Sequence, residues 1–341
     1  MKKSNLFMII LVILSISVFG GCSASNEPSP EVAEPDTEVT QGGEELAEKL
    51  VIGINQLAEH PALDDAREGF IEGLKEMGID AEIVYQNAQG DIPTSLAISQ
   101  GFVKDKVDLI YAIATPAAQS SKQATSDIPI LFSAVTDPVE ADLVDSVEKP
   151  GGNITGTSDA SPMKEQLASF QKLDPSIKKI GILYNTSESN SDIQIEMAKA
   201  FAPELGLEIV AVGISNINDI PQAMDSIIKD VDAIYTITDN MVASAIAIVA
   251  DKANSAKMIT VGAEGSHVEG GILVSDGISY FGLGKQTASM AKAILLDKKS
   301  PADIPSESGK ETTAVFNQET LDILGLSLDN EVFKGASAVG E

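Results

Sequence analysis

An internal repeat divides the chain into two similar halves. Val51-Ile-Gly-Ile54 recurs as Lys179-Ile-Gly-Ile182, and Asp91-Ile-Pro93 recurs as Asp219-Ile-Pro221, both at an offset of 128 residues. Further matches follow at offsets that differ from this one by only a few residues. A chain with two similar halves of this kind is expected to fold as two similar units.

Each half alternates short apolar strands with amphipathic helices. In the first half, residues 49–55 form an apolar strand, and apolar residues from Leu63 to Met77 then recur at spacings of three and four, as on one face of a helix. Gly78 follows as a typical helix-ending glycine. Such alternation indicates a parallel sheet with helices on both faces. We therefore predict an α/β protein with two doubly wound, Rossmann-like domains.

The repeat also predicts where a ligand would bind. In an open α/β sheet, ligands lie beyond the carboxyl ends of the strands, so two such domains facing each other enclose one cleft. The residues that follow equivalent strands in the two halves are His60, Leu63, Thr115 and Thr136 in the first half, and Tyr184, Asn185, Asp239 and Glu264 in the second.

These residues offer opposite charges to a ligand. Thr115 before a proline reads as a helix N-cap, and the free N–H groups around Ala117 and Ala118 would attract an anion, although such a cap can also bind nothing. Asp239 and Glu264 face that helix end across the cleft, and Asp239 can also be only an N-cap. A carboxylate site opposite an ammonium site favours an α-amino acid as ligand.

Signatures of an enzyme are missing from the sequence. The two histidines form no metal-spaced cluster, and neither a P-loop nor a nucleophile elbow occurs. We therefore expect no catalytic residue, no metal and no cofactor. His60 either touches ligand or lies in a plain loop, and His267 is expected at the surface.

The first 48 residues are expected to serve export and tethering. The fourteen residues from Leu6 to Phe19 are almost wholly apolar and follow two lysines. They are too few to span a bilayer, so residues 1–22 read as a signal peptide. The sole cysteine, Cys22, follows two glycines as in a lipobox, which predicts lipid attachment; an ordinary secretory signal is the alternative. Residues 23–48 carry eight acids and no base, which is typical of a flexible tether.

The net charge of -28 argues against two classes of partner. Nucleic acid requires a basic surface, and so does electrostatic docking on anionic lipid. We expect the membrane to be contacted only through the lipid anchor, which places the protein outside the cytoplasm at the cell membrane.

Several motifs together resemble one known family. The motifs are Glu59-His-Pro-Ala-Leu-Asp64, Tyr85-Gln-Asn-Ala-Gln-Gly-Asp91, Ile113-Ala-Thr-Pro-Ala-Ala-Gln119, Val135-Thr-Asp-Pro138, Gly151-Gly-Asn-Ile-Thr-Gly-Thr-Ser-Asp159, Leu183-Tyr-Asn185 and Thr238-Asp-Asn240. Through them the chain resembles the tryptophan/tyrosine-type ABC transporter substrate-binding proteins from about residue 49 to 326. The resemblance implies a type I periplasmic-binding-protein fold, with chain crossings near Thr157, Ser275 and Thr312. The N-terminal lobe would then hold residues 49–157 and 276–311, and the C-terminal lobe residues 158–275 and 312–335.

The resemblance also implies roles for the site residues. The backbone from Thr115 to Ala118 and the Thr157 hydroxyl would hold the ligand carboxylate, and Asp239 would hold the ammonium group. The side chain of an aromatic amino acid would be bordered by His60, Leu63, Thr136, Tyr184 and Asn185, with Ser158 in the same set. The implied protein is a monomer that delivers its ligand to an ABC permease. Alternatives are a branched-chain amino acid or nucleoside as ligand, or a sensor lipoprotein that presents its ligand to a receptor.

Overall fold

The computed structural model describes residues 49–340. The predicted signal peptide, Cys22 and the acidic tether lie outside the described residues. The strands are β1 (Leu50–Gln56), β2 (Ala81–Asn87), β3 (Leu109–Ile113), β4 (Ile130–Val135), β5 (Ile154–Ser158), β6 (Lys179–Asn185), β7 (Glu208–Ile214), β8 (Ala233–Thr236), β9 (Ile259–Gly262), β10 (Val274–Ile278), β11 (Glu307–Ser308), β12 (Thr312–Asn317) and β13 (Ser337–Val339).

Helices connect these strands. The α-helices are α1 (Pro61–Glu76), α2 (Ile92–Asp105), α3 (Thr115–Ala124), α4 (Met163–Leu173), α5 (Ser189–Phe201), α6 (Ile220–Ile227), α7 (Asn240–Ser244), α8 (Ile246–Ser255), α9 (Gly265–Glu269), α10 (Tyr280–Leu295) and α11 (Gln318–Leu324).

The strands form two sheets with the same central order. The first sheet runs β11-β5-β4-β3-β1-β2, and the second runs β13-β12-β10-β9-β8-β6-β7. Five successive strands of each half therefore occupy equivalent places, as the repeat predicts. The sheets are parallel except where β12 pairs antiparallel with β10, which the sequence did not indicate. The predicted fold class of two α/β units is confirmed.

Local sequence signals set the ends of the helices. Pro61 occupies the first turn of α1, and Gly78, with φ of 68°, follows its cap residue Met77 as predicted. In α2, the Asp91 side chain accepts a hydrogen bond of 2.7 Å from the Thr94 backbone N–H. The helix starts and stops therefore follow from capping residues, while packing fixes the directions of the helices.

Each sheet has its own hydrophobic core. In what we call the N-lobe, the first sheet packs against α1, α2, α3 and α10, with the rings of Phe70 and Tyr111 stacked at 4.0 Å between centroids. In the C-lobe, the second sheet packs against helices on both faces. The return of α10 to the N-lobe core brings a late segment of the chain to the first half of the fold.

Glycines allow α1 and α10 to pack with unusually close backbones. A Cβ added at Gly284 would lie 2.1 Å from the carbonyl oxygen of Ala66, and one added at Gly69 would lie 2.1 Å from that of Phe281. Side chains larger than hydrogen are therefore excluded at both positions. This contact fixes the middle of α1 relative to the start of α10.

Three chain segments join the lobes side by side. The Gly309 backbone N–H donates to the carbonyl of Ser158, and the Ser279 N–H donates to the carbonyl of Glu311, both at 2.9 Å. The segment between β11 and β12 thus lies between the segments that follow β5 and β10. The family resemblance implies a second crossing near Ser275, and β10 stays paired in the second sheet through Ile278.

Candidate functional site

The carboxyl ends of the strands of both sheets meet around a small enclosed space. This inter-lobe cavity has about 10 Å³ of free volume, far below the range for small-molecule sites, so a ligand requires the lobes to move apart. Its walls come from both lobes and from the segment after β5. The lining residues are His60, Leu63, Ala134, Asp159, Asn190, Thr238, Asp239, Asn240, Ala243, Glu264 and Tyr280.

A wider groove adjoins this cavity at Asn240. This outer groove also lies between the lobes: the N-lobe contributes residues such as Glu59 and Asn87, and the C-lobe contributes Asn185 and Glu188. The inter-lobe cavity therefore has a neighbouring space at the mouth of the cleft.

Four of the twelve predicted ligand residues line the inter-lobe cavity, namely His60, Leu63, Asp239 and Glu264. Thr136 does not line the cavity but contacts a residue that does, since its hydroxyl oxygen is 3.3 Å from that of Thr238. Asn185 lines the outer groove instead. The remaining predicted residues lie outside the cavity wall: Thr115, Ala117, Ala118, Thr157, Ser158 and Tyr184.

Two of the outlying hydroxyls are used within the fold. The Thr157 hydroxyl lies 2.9 Å from that of Ser133 and 2.7 Å from that of Thr287, which ties β5 to β4 and α10. The Ser158 hydroxyl donates to the carbonyl oxygen of Thr136 at 2.9 Å. Both residues therefore support the first crossing between lobes.

Tyr184 and Asn185 end β6 in different environments. The Tyr184 ring packs beside Gly213 of β7, where an added Cβ would lie 3.3 Å from the ring. Asn185 is buried and donates through its Nδ2 to Glu188 Oε1 at 3.0 Å. Asn185 thus belongs to a hydrogen-bond network at the groove, whereas Tyr184 belongs to the sheet packing.

Asp239 is the N-cap of α7. Its Oδ1 accepts from the Val242 N–H at 2.9 Å, and its Oδ2 accepts from the Asn185 N–H at 2.6 Å and the Ser191 hydroxyl at 2.7 Å. Burial, followed by the nearby charge of Glu188, raises the pKa of Asp239 to about 7. The carboxyl group faces the cavity but is already held by three donors of the C-lobe.

Glu264 pairs with a buried histidine. Its Oε1 lies 3.1 Å from His267 Nε2 and accepts from the Ser266 hydroxyl at 2.7 Å. Burial alone would raise the pKa of Glu264, but the charge and hydrogen bond of His267 outweigh it and lower that pKa to about 2. His267 was expected at the surface and is fully buried, so that prediction was wrong.

The start of α3 differs from the predicted cap. The helix begins at Thr115, and Ala114 occupies the cap position with φ of 85°, a conformation that costs a residue with a side chain about 1–3 kcal/mol. Thr115 is 1% exposed, and its hydroxyl, which does not cap the helix, has no hydrogen-bond partner in the described chain. Ala134, with φ of 57°, marks a bulge at the end of β4 and lines the cavity.

Unsatisfied acceptors concentrate at the cavity. Apart from His267 Nε2, which faces Glu264 Oε1, six buried side-chain polar atoms lack a hydrogen-bond partner within residues 49–340, and three of them belong to cavity residues: His60 Nδ1, Asp159 Oδ1 and Asn190 Oδ1. Buried polar atoms are normally paired, so a cluster of unpaired ones marks a place where a ligand supplies the partners. Sequence reasoning missed Asp159 and Asn190.

His60 presents an acceptor to this site. Its Nε2 lies 3.3 Å from Asn240 Oδ1, and Asn240 is oriented because its Nδ2 donates to Glu188 Oε2. Burial lowers the pKa of His60, which favours the neutral ring. With Nε2 donating to Asn240, the unpaired Nδ1 is the acceptor nitrogen.

Comparisons with known proteins agree on one family. The family model of ABC transporter substrate binding proteins matches residues 51–339. A tyrosine-binding protein of Clostridioides difficile (strain R20291) is 42% identical over 338 residues, which cover 96% of this chain and 95% of that relative. These relatives are solute-binding proteins rather than enzymes.

Two solved structures show related lobe arrangements. An ABC domain in complex with L-Trp from Streptococcus pneumonia matches with a TM-score of 0.82 and 35% identity over 85% of this chain and 99% of that chain. The ligand-free, open structure of a substrate binding protein with adhesive properties from Clostridium difficile has a TM-score of 0.66 at 41% identity, with the same two coverages. The present structure is therefore more similar to the Trp complex than to the open form.

No helix within residues 49–340 has the length and apolar character required to cross a membrane.

Proposed function

Because this chain belongs to the ABC transporter substrate-binding protein family, we propose that it captures an aromatic amino acid, tyrosine or tryptophan, between its two lobes. The observation that carries the proposal is the inter-lobe cavity, where unpaired acceptors of His60, Asp159 and Asn190 converge. These acceptors require a donor-rich group, which the ammonium of an amino acid supplies. The names of the two relatives, which bind tyrosine and L-Trp, support the ligand class.

The N-lobe offers the complementary end of an amino acid. At the start of α3, the Thr115 hydroxyl has no hydrogen-bond partner among residues 49–340, and the first N–H groups of the helix point out of its first turn. A ligand carboxylate fits such donors and the helix dipole. In this proposal Thr115, Ala117 and Ala118 act on the ligand after the cleft adjusts to it, while His60, Leu63, Asp239 and Glu264 form the wall around it.

Closure of the lobes is the proposed mechanism. Within residues 49–340, side-chain hydrogen bonds that cross between the lobes include His60 to Asn240 at 3.3 Å, Thr136 to Thr238 at 3.3 Å, and Gln119 to Ser189 at 3.2 Å. A ligand that contacts both walls adds to these bonds only in the closed form and so shifts the balance towards closure. The higher similarity to the Trp complex supports a closed arrangement here.

Thermal denaturation of the purified protein with single solutes tests the ligand class. Tyrosine or tryptophan at about 100 times its Kd is expected to add roughly 2.7 kcal/mol to the free energy of unfolding. For a chain of this size that corresponds to an increase in Tm of about 4 °C. Isoleucine and uridine serve as controls and should give much smaller shifts. A shift with uridine or isoleucine alone would contradict the proposal.

We further propose an extracytoplasmic lipoprotein that delivers its ligand to an ABC permease. The support is the family, together with the signal-like residues 1–22 that end in Cys22. Cys22→Ser is expected to move the protein from the membrane fraction to the soluble fraction, with Ser23→Ala as the control that stays at the membrane. Retention of the Cys22→Ser protein in the membrane fraction would argue against lipid attachment.

A further inference from the structure

We infer that Asp159 and Asn190 hold the α-ammonium group of the bound amino acid, an inference that rests on the function proposed above. Both residues line the inter-lobe cavity, and both are 3% exposed. Asp239, the acid that the sequence favours for this role, then serves as a cap and as part of the wall.

Asp159 has one free carboxylate oxygen. Its Oδ2 accepts from the Tyr280 hydroxyl at 2.6 Å, whereas Oδ1 has no partner among the described residues. Burial raises the pKa of Asp159 to about 6, and the nearby charge of Glu264 adds to this effect. A ligand ammonium would supply both the missing donor and the missing positive charge.

Asn190 presents an acceptor rather than a donor. Its Nδ2 donates to the carbonyl of Thr238 at 3.0 Å and to Glu188 Oε2 at 3.4 Å, which fixes the orientation of the amide. The unpaired Oδ1 must therefore accept a hydrogen bond. An ammonium group carries three donors and matches two acceptors of this kind better than a hydroxyl, which has one.

The two nearby acids already have partners. Asp239 accepts three hydrogen bonds from the C-lobe, and Glu264 is paired with His267 and Ser266. Among the acids of this cavity in the described chain, Asp159 is the one with a fully buried carboxylate oxygen that has no partner. It also lies directly after β5, so a ligand held there contacts the first crossing between lobes.

Calorimetric titration with matched ligands tests the assignment. Tyrosine is compared with 3-(4-hydroxyphenyl)propionate, which lacks only the amino group, in the wild type and in Asp159→Asn. We expect the variant to lose about 100-fold in affinity for tyrosine, as when one partner of a buried charge pair is removed. Its affinity for the desamino analogue should stay unchanged or rise, which shows that the site remains folded.

Further variants keep the test decisive. Asn190→Ala is expected to lose about tenfold for tyrosine alone, and Asp192→Asn, an exposed position on the same helix, should match the wild type. Asp239→Asn should lower stability but keep the preference for tyrosine over the analogue. If Asp159→Asn keeps that preference, or Asp239→Asn loses it, the inference is overturned. A wild type that binds no amino acid would overturn the proposed function, and the inference with it.

Discussion

Gly284→Ala is expected to lower the free energy of unfolding by about 3 kcal/mol or more. The added Cβ would lie 2.1 Å from the carbonyl oxygen of Ala66 and 2.7 Å from the amide nitrogen of Phe70, both backbone atoms of α1. Because backbone cannot turn aside as a flexible side chain can, α1 and α10 must separate. Urea denaturation of the two proteins measures the difference.

Gly101→Ala is the matched control for this prediction. Gly101 lies within α2 and has no atom within 4 Å of an added Cβ, so the change removes only the flexibility of glycine. It should raise stability by about 0.5–1 kcal/mol. Similar effects at the two glycines would contradict the explanation from helix contact. Gly284→Ala should also weaken ligand binding, because α1 holds Leu63 and α10 begins at Tyr280.

Glu188→Gln is expected to lower the free energy of unfolding by about 3 kcal/mol and to weaken amino-acid binding. The carboxylate accepts from the side chains of Asn185, Asn190 and Asn240 and from the backbone N–H groups of Asn240 and Met241. A glutamine amide nitrogen donates instead of accepting, so buried donors would lose their acceptor at about 1–3 kcal/mol each. Denaturation and titration with tyrosine measure the two effects.

Glu196→Gln controls for the change of charge on the same helix. Glu196 is exposed and pairs only with Lys199 at 2.9 Å, so its replacement should alter stability by less than about 0.5 kcal/mol. A loss at Glu188 no larger than at Glu196 would show that the buried network is unimportant. The binding effect has its own reason, because Glu188 orients two cavity residues, Asn190 and Asn240.

Much of the fold was predictable because it depends on local patterns repeated along the chain. Apolar periodicity located α1, and a glycine marked its end. The repeat indicated that corresponding strands of the two halves hold the same positions in their sheets. The antiparallel strand β12 was not predictable in the same way. Its pairing with β10 follows from the third crossing between the lobes, and no periodic pattern in the sequence indicates that crossing.

The candidate site was only partly predictable. His60, Leu63, Asp239 and Glu264 follow strands whose ends meet, so strand order alone placed them at the cavity. Asp159 was missed because its position depends on the crossing after β5 and on its bond to Tyr280, 121 residues away. His267 was misplaced because a pairing with Glu264 across one helical turn, rather than hydropathy, permits its burial.

The three adjacent segments that join the lobes limit how the lobes can move. Chain segments that lie side by side can bend together about an axis that crosses all of them, but they resist twisting of one lobe against the other. The central segment is hydrogen-bonded to both of its neighbours, through Gly309 and Glu311. The three segments are therefore expected to bend together. In the closure proposed above, the lobes are therefore expected to rotate about one axis, so that each closure returns the same residues to the same partners.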